Sequence, residues 1–127
     1  MTRPAEIEIE RVIEQDPESR PTDYLFQDAQ YRQEDEARLA AWRNDEWHFV
    51  GIRAKATIKF PYGVNPDCWI TSKLLSPGLW GIESDSGDAH FQEVYQEERA
   101  ILIGMIASLK IYELGTPPIT THQGGSP

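Results

Sequence analysis

The chain has 127 residues, 39% of them hydrophobic and 26% charged, which suits one compact domain and is too short for two enzymatic lobes. Its 21 acidic residues outnumber its 12 basic ones and give a net charge of −9. This argues against direct binding to duplex DNA, because that affinity comes mainly from lysine and arginine. The N-terminus does not resemble a signal peptide, no apolar run is as long as a membrane span, and the lone Cys68 cannot form an internal disulfide. We therefore expect a cytoplasmic protein that does not bind membranes.

The charge is distributed in three blocks. Residues 1–46 contain 13 acids and 6 bases, residues 47–79 contain one acid and four bases, and residues 80–115 contain seven acids and two bases. A basic middle therefore lies between two acidic flanks. Such an arrangement favours pairing of opposite charges within the fold.

The first half of the chain predicts a strand, a loop and a helix. Residues 6–14 alternate between glutamate and isoleucine with a period of two, which is typical of a half-buried strand, although the helix propensity of glutamate leaves a helix as the alternative. Pro17 and Pro21 mark a loop over residues 16–23. Residues 31–44 contain several alanines and a thin apolar stripe, which predicts a helix that docks through only a few side chains.

The second half predicts three strands and a long helix. Nine residues of strict alternation ending at Phe60 indicate the clearest strand, over residues 47–60. A turn-rich segment separates it from a second strand over residues 69–75, and residues 79–83 predict a short third one. Serines and aspartates from residue 84 onward are typical of a helix start, and the apolar pattern extends that helix to Tyr112 or Leu114.

This order of elements predicts an α+β fold. We expect a single-layer antiparallel sheet of three to four strands, with two helices packed mainly on one face. Residues 1–115 are expected to form one domain. Residues 116–127 contain two prolines, two adjacent glycines and no periodicity, so we expect a disordered C-terminal tail there.

The first candidate site is a stripe of Arg53, Lys55 and Lys59 on one face of the 47–60 strand. Beside aromatic residues, such a stripe could bind single-stranded nucleic acid. The alternative is internal pairing, because the glutamates of the 6–14 strand have the same spacing and the opposite charge. We favour internal pairing, which also predicts that the two strands are neighbours.

Glu98 is a second candidate, because at about 100° per residue it falls in the centre of the apolar face of the long helix. A buried carboxylate is costly unless it is paired, and carboxylates in such surroundings also occur in active sites. We favour a structural ion pair or hydrogen bond over a catalytic role. The candidate donors are Arg38, Arg53 and Trp47.

An acidic cluster at the start of the same helix is a third candidate. Its oxygen atoms could hold a divalent metal, but the spacing matches no complete EF-hand loop. The same residue types cap helices and form a solvated first turn, and we favour this capping interpretation. The members of the cluster are Glu83, Asp85, Asp88, His90 and Glu93.

The long helix also has a second apolar patch, on the side opposite its main apolar face. Ile103, Ala107 and Ile111 form this patch. It exceeds what a simple amphipathic helix needs, so it indicates either packing under a loop or an interface with a partner or a second copy of the chain.

A short motif, Leu-Trp-Gly-Ile-Glu-Ser-Asp-Ser over residues 79–86, carries the clearest resemblance to known proteins. Together with residues 47–54 it resembles a family of small uncharacterised proteins carried by bacteriophages and bacterial mobile elements. The similarity runs from Tyr24 to Leu114, and it implies an accessory protein of a bacterial cytoplasm, with no catalytic residue to transfer. Trp80 in this motif is expected to anchor its strand in the core, and we count it among the candidate binding residues.

No phosphate-binding loop, cysteine pair or His-Glu-x-x-His motif is present, so we predict neither catalytic residues nor a cofactor. The sequence favours a small acidic accessory protein that binds a protein partner, in one form as a nucleic-acid mimic that inhibits a basic or nucleic-acid-binding partner. One alternative is a metal-dependent hydrolase that uses Glu98 with Glu83, Asp85 and Asp88. Another is a single-stranded nucleic-acid binder that uses the basic stripe.

Overall fold

The computed structural model describes residues 5–65, 67–109 and 119–122. The strands in these ranges are β1 (Glu6–Gln15), β2 (Phe49–Pro61), β3 (Trp69–Leu75), β4 (Leu79–Glu83) and β5 (Ile119–His122), and the α-helices are α1 (Arg32–Arg43) and α2 (Asp88–Ser108). Two short 3-10 helices, Pro21–Asp23 and Ala29–Tyr31, lie between β1 and α1. Every element predicted from the sequence is present, and β1 to β4 and α1 each begin within two residues of the predicted start.

All five strands belong to one sheet, in which β2 is an inner strand. β1 pairs antiparallel with one side of β2, while β3 and β4 pair antiparallel with its other side. The register places Ile7 opposite Ile58 and Ile9 opposite Ala56, so the apolar side chains of both strands share one face. The predicted α+β fold with its antiparallel sheet is confirmed.

The fifth strand corrects the prediction of a disordered C-terminal tail. Ile119–His122 pairs parallel with β1, and Ile119 lies opposite Ile7. Isoleucine and threonine are β-branched and suit a strand, and the outer edge of β1 offers unpaired backbone groups to which a strand can add. The rest of residues 116–127 lies outside the described ranges, so the disorder expected there stays a prediction.

Helix α2 covers one face of the sheet and closes the hydrophobic core. Alternate residues of β2 from Val50 to Ile58 belong to this core. The core residues of α2 are Val94, Tyr95, Leu102 and Ile106, all at most 4% exposed. Because burying each large apolar side chain contributes roughly 1.5–3 kcal/mol, this face holds α2 in place.

Helix α2 ends earlier than predicted, at Ser108, with Leu109 as its C-cap. The Ser108 hydroxyl donates to the Gly104 carbonyl at 3.0 Å. Glycine has a low helix propensity, and a serine that bonds back to the preceding turn weakens a helix further. The last turn of α2 contains both, which agrees with its end at this point. The predicted continuation to Tyr112 or Leu114 runs through residues outside the described ranges.

Helix α1 lies outside the core, since none of its residues is buried, and it packs against the two 3-10 helices. This agrees with the thin apolar stripe in its sequence. The Arg38 side chain of α1 reaches the end of β4. Within the described ranges, neither helix is both long and apolar enough to cross a membrane.

Candidate functional site

The basic stripe of β2 faces the glutamates of β1. The register places Lys55 opposite Glu10, and Lys55 Nζ lies 3.6 Å from Glu10 Oε1. Arg53 Nη1 lies 3.8 Å from Glu14 Oε1. These pairs confirm that the two strands are neighbours and that the stripe pairs within the molecule.

Lys59 and Arg53 of the basic stripe have further neighbours within the molecule. Lys59 lies opposite Glu6 in the register. Arg53 Nε donates to the Ser76 carbonyl at 2.8 Å, and the Arg53 guanidinium carbon lies 5.9 Å from the centre of the Trp80 ring. Because Arg53 and Lys55 already lie within 4 Å of carboxylates, the geometry weakens the single-stranded nucleic-acid alternative, which needs cations directed at phosphates.

Trp80 does not enter the core, contrary to the prediction. It is 40% exposed, and its indole N–H donates to the Pro77 carbonyl at 3.1 Å. A Cβ atom on Gly51 would lie 2.1 Å from Trp80 Cε3, so the indole fills the space where Gly51 lacks a side chain. The ring therefore covers the sheet face opposite α2, since Val50 and Ile52 on either side of Gly51 belong to the core beneath α2.

Glu98 holds the connection between β3 and β4 against the middle of α2. It is 6% exposed, and it accepts a hydrogen bond from the backbone N–H of Gly78 at 2.7 Å. Gly78 has a φ of +91°, which glycine adopts without strain. The geometry supports the structural interpretation, but the donor is a backbone amide and not one of the three side chains considered from the sequence.

Replacing Glu98 with alanine is expected to lower the free energy of unfolding by about 1–3 kcal/mol, because a part-buried amide loses its acceptor. The Glu98→Gln variant keeps an acceptor oxygen and is expected to lose less. Urea denaturation of both variants measures the difference. Equal losses for the two substitutions would contradict the hydrogen-bonding role.

Arg38 joins α1 to the segment that follows β4. Its Nη1 and Nη2 lie 2.7 and 2.8 Å from the carboxylate oxygens of Asp85, and its Nε donates to Glu83 Oε2 at 3.0 Å. Its guanidinium carbon lies 3.7 Å from the centre of the Trp47 ring, and the Trp47 indole N–H donates to the Arg38 carbonyl at 3.1 Å. One arginine thus contacts two carboxylates and an aromatic ring.

The alternative metal site is not formed. Glu83 and Asp85 are bound by Arg38, while Asp88 pairs with Arg11 of β1 at 2.9 Å. No group of three or more His, Cys, Asp and Glu side chains in the described part of the chain is placed to hold a metal ion. The structure therefore does not support the metal-dependent hydrolase that would use these residues.

Of the favoured alternative for this cluster, side-chain capping of α2 is wrong, whereas the solvated first turn is present. The N-cap is Gly87, and no side chain caps the helix. Ser84 Oγ instead accepts from the backbone N–H of His48 at 3.0 Å. Asp88 still lies in the first turn, where a negative charge favours the helix dipole.

The Arg38 network changes the titration of two of its neighbours. Hydrogen bonds from Arg38 hold the pKa of Asp85 below its ordinary value of 3.8. Burial, together with a 2.9 Å hydrogen bond from the Tyr24 hydroxyl to Glu83, raises the pKa of Tyr24 to about 12. Asp85 is therefore ionised and Tyr24 neutral at pH 7, which maintains the network.

Asp16 forms a second polar centre directly after β1. Its Oδ2 accepts from the Ser19 hydroxyl at 2.7 Å and from the Gly81 N–H at 2.8 Å, and its Oδ1 accepts from the Glu18 N–H at 3.1 Å. Burial opposes the ionisation of Asp16, but these hydrogen bonds outweigh it and lower the pKa. The loop over residues 16–20 is thereby fixed against β4.

Two clefts lie beside this loop, of about 570 and 560 Å³. The first runs along the end of α1, and its lining includes Arg20, Trp42, Arg43, Trp47 and His48. The second, termed the acidic cleft, is lined by Gln15, Asp16, Pro17, Glu18, Ser19, Asp23 and Trp80. Carboxylates beside an indole ring are a combination that binds cations.

The predicted apolar interface on α2 is not one continuous surface. Ile103 is partly buried and packs against the core, which removes it from the patch. Ala107 is exposed, and Ile111 lies outside the described ranges. The large apolar side chains that α2 and its C-cap do expose are Ile101 and Leu109, at 46% and 59%.

Three residues of this region had no correct role in the sequence analysis. Asp16 carried a detectable signal, because an aspartate before a proline commonly bonds to backbone N–H groups two or three residues further on. Arg38 was considered only as a donor to Glu98. The contact of Gly51 with Trp80 had no local signal, since it depends on the pairing of β2 with β4.

Scans of the chain against family models, curated proteins and solved structures found no match. The resemblance carried by residues 79–86 therefore stays a prediction.

Proposed function

We propose that this protein is a non-catalytic binding module that docks on a basic surface of a partner protein. The observation that carries the proposal is the imbalance of exposed charge in the described ranges. The exposed cations there are Arg20, Arg32, Arg43 and Lys73. The exposed acids there are Glu6, Glu18, Asp23, Asp28, Glu34, Glu36, Asp45, Glu46, Asp67, Asp85, Asp88, Glu93 and Glu97.

The imbalance is already present in the composition, and it is larger at the surface because several cations are withdrawn into the fold. Arg11, Arg38 and Lys55 are less exposed than the carboxylates with which they pair. The remaining acids keep their charge directed at solvent. An exterior of one sign raises the association rate with a partner of the opposite sign.

The acidic cleft is the part of this exterior that best fits a basic side chain. Glu18 and Asp23 are exposed, and the Trp80 indole lies beside them. An arginine entering the cleft would meet carboxylates and an aromatic ring together, the arrangement in which a guanidinium binds best. The cleft therefore supports a partner that presents an exposed arginine or lysine.

The biological setting belongs to the same proposal. A partner that normally binds phosphate groups presents arginine and lysine, so an acidic protein can occupy its groove as a nucleic-acid mimic. The resemblance of residues 79–86 adds an accessory role in a bacterial mobile element. The single Cys68, which has no disulfide partner, agrees with a reducing cytoplasm.

A fluorescence anisotropy titration with a labelled arginine-rich peptide tests the proposal. We expect binding at low ionic strength that weakens steadily with added salt, because the Debye length falls from about 30 Å at 0.01 M to about 3 Å at 1 M. The Glu18→Gln variant is expected to bind about two- to fivefold more weakly, which corresponds to one exposed ion pair.

The matched control is Glu97→Gln, which removes an exposed carboxylate from α2, on the other side of the sheet from Trp80. This variant is expected to bind like the parent protein. Equal losses for the two variants would contradict the cleft as the point of contact. Binding that does not respond to salt, or tighter binding of a single-stranded oligonucleotide than of the peptide, would contradict the proposed function.

A further inference from the structure

Beyond the Trp80 indole, which covers it at Gly51, the sheet face opposite α2 carries partly exposed side chains across β1, β2 and β3. The Glu10 and Lys55 side chains on this face are 40% and 26% exposed. Lys73 of β3, which lies opposite Thr57 of β2, is exposed as well. Long polar side chains therefore cover this surface, whereas the other face of the same strands is closed by α2.

Two stripes of opposite charge run side by side along this face. The acidic stripe on β1 consists of Glu6, Glu8, Glu10 and Glu14, and the basic stripe on β2 consists of Arg53, Lys55 and Lys59. The pairs within the molecule are loose, at 3.6 and 3.8 Å. A carboxylate accepts several hydrogen bonds and an ammonium donates three, so each side chain can take a second partner of opposite charge.

The geometry points to a second copy of this chain as the occupant of the face. A two-fold axis parallel to the strands, midway between β1 and β2, places β1 of one copy over β2 of the other at the same height along the strands. Glu10 of each copy then faces Lys55 of the other. By the same rotation, Glu6 faces Lys59.

The charge pattern selects this arrangement over the other face-to-face dimer. A two-fold axis perpendicular to the strands would place β1 over β1 and β2 over β2, so carboxylates would face carboxylates. Like charges directly opposite each other destabilise a contact between sheets. With the axis parallel to the strands, the same surface patch on the two copies is complementary in charge to itself, as an isologous interface requires.

The size of the face indicates a weak dimer. Three strands at a spacing of about 4.8 Å, with seven residues each rising about 3.3 Å, give a patch of roughly 14 by 23 Å. This is smaller than the roughly 800 Å² that each partner buries in a standard stable interface. The patch is also charged, so the association should depend on ionic strength.

Sedimentation equilibrium over a concentration series tests the dimer. At low salt we expect the apparent mass to rise with concentration from 14.5 kDa towards twice that value, and at high salt to stay at 14.5 kDa. The Glu10→Lys variant places like charges opposite each other and is expected to remain a monomer at both salt concentrations. Circular dichroism checks that the variant is folded.

A double variant, Glu10→Lys with Lys55→Glu, keeps the internal ion pair with its direction reversed. This variant is expected to form dimers with itself, because the lysine introduced on β1 of one copy still faces the glutamate introduced on β2 of the other. It should not form dimers with the parent chain, since like charges then meet at both positions. Native mass spectrometry of a mixture of the parent and a mass-tagged double variant measures this selectivity.

Selective pairing in that mixture would establish the proposed axis. Free exchange between the parent and the double variant would overturn it, as would a parent protein that stays monomeric at low salt up to its solubility limit. Both readouts are independent of peptide binding, so failure of the dimer and failure of the proposed function are distinguishable.

Discussion

The Gly51→Ala variant is expected to lose about 1–3 kcal/mol of unfolding free energy, which is the usual cost of adding a methyl group where there is no room. The new Cβ would lie 2.1 Å from Trp80 Cε3 and 2.5 Å from Cζ3, so the indole must move. Its hydrogen bond to Pro77 and its position beside Arg53 would then be disturbed. Chemical denaturation measures the loss.

The same substitution is expected to have the opposite sign when the indole is absent. In a Trp80→Ala background the space above Gly51 is free, and alanine is preferred over glycine in a strand interior by roughly 0.5–1 kcal/mol. Because the effect of Gly51→Ala changes sign when Trp80 is absent, a double-mutant cycle on these two positions is expected to give a coupling energy that exceeds the loss seen in the parent background alone. Additive effects would contradict the proposed steric contact.

The Arg38→Met variant is expected to lose about 1–3 kcal/mol, between the cost of breaking an exposed ion pair and that of breaking a buried one. Methionine retains part of the contact with Trp47 but leaves Glu83 and Asp85 without their cation. The Arg38→Lys variant keeps the positive charge but lacks the planar guanidinium that donates several hydrogen bonds, so we expect an intermediate loss of unfolding free energy. Thermal and urea denaturation at neutral pH rank the three proteins. A lysine variant as stable as the parent would show that charge alone is sufficient.

The Arg38 network also predicts how stability depends on acid. The pKa of Asp85 is held below its ordinary value of 3.8 in the folded protein. As the pH falls, the Asp85 carboxylate is therefore protonated in the unfolded chain before it is protonated in the folded protein. The stabilisation that ionised Asp85 contributes is therefore fully present at a pH above its ordinary pKa, and it is lost as the pH drops through the lower pKa of the folded state. The Arg38→Met variant should lose less of its stability on acidification than the parent. Asp16, whose pKa is also lowered, contributes a similar loss of stability in acid to the parent and to the variant. The difference between the two proteins therefore reports the Arg38 network.

Features that depend on a regular period were predictable from the sequence. Alternating charges on the 6–14 and 47–60 segments predicted both strands, their adjacency and the pairing of the basic stripe with the glutamates, of which Lys55 with Glu10 is one case. The burial of Glu98 followed from its position on a helix face. These properties are set by residues a few positions apart, which a single sequence displays directly.

Features that depend on distant contacts were missed or wrong. Trp80 was predicted to anchor its strand in the core, but the pairing of β4 with β2 places its ring over Gly51, on the sheet face opposite α2. The acids after β4 were interpreted as a cap or metal site because their partner, Arg38, lies 45 residues away from Glu83 in the chain. The β5 strand pairs with β1, at the other end of the chain, and its four residues suit a strand without indicating this partner.

The central position of β2 has a consequence for how the chain is made. β1 pairs along β2 from Val50 to Lys59, and the antiparallel pairings of β3 and β4 are with β2 as well. During synthesis, β1 therefore emerges from the ribosome long before its antiparallel partner exists. The glutamates that alternate with its isoleucines repel copies of the same segment, so we infer that they keep this unfinished strand from aggregating until β2 arrives.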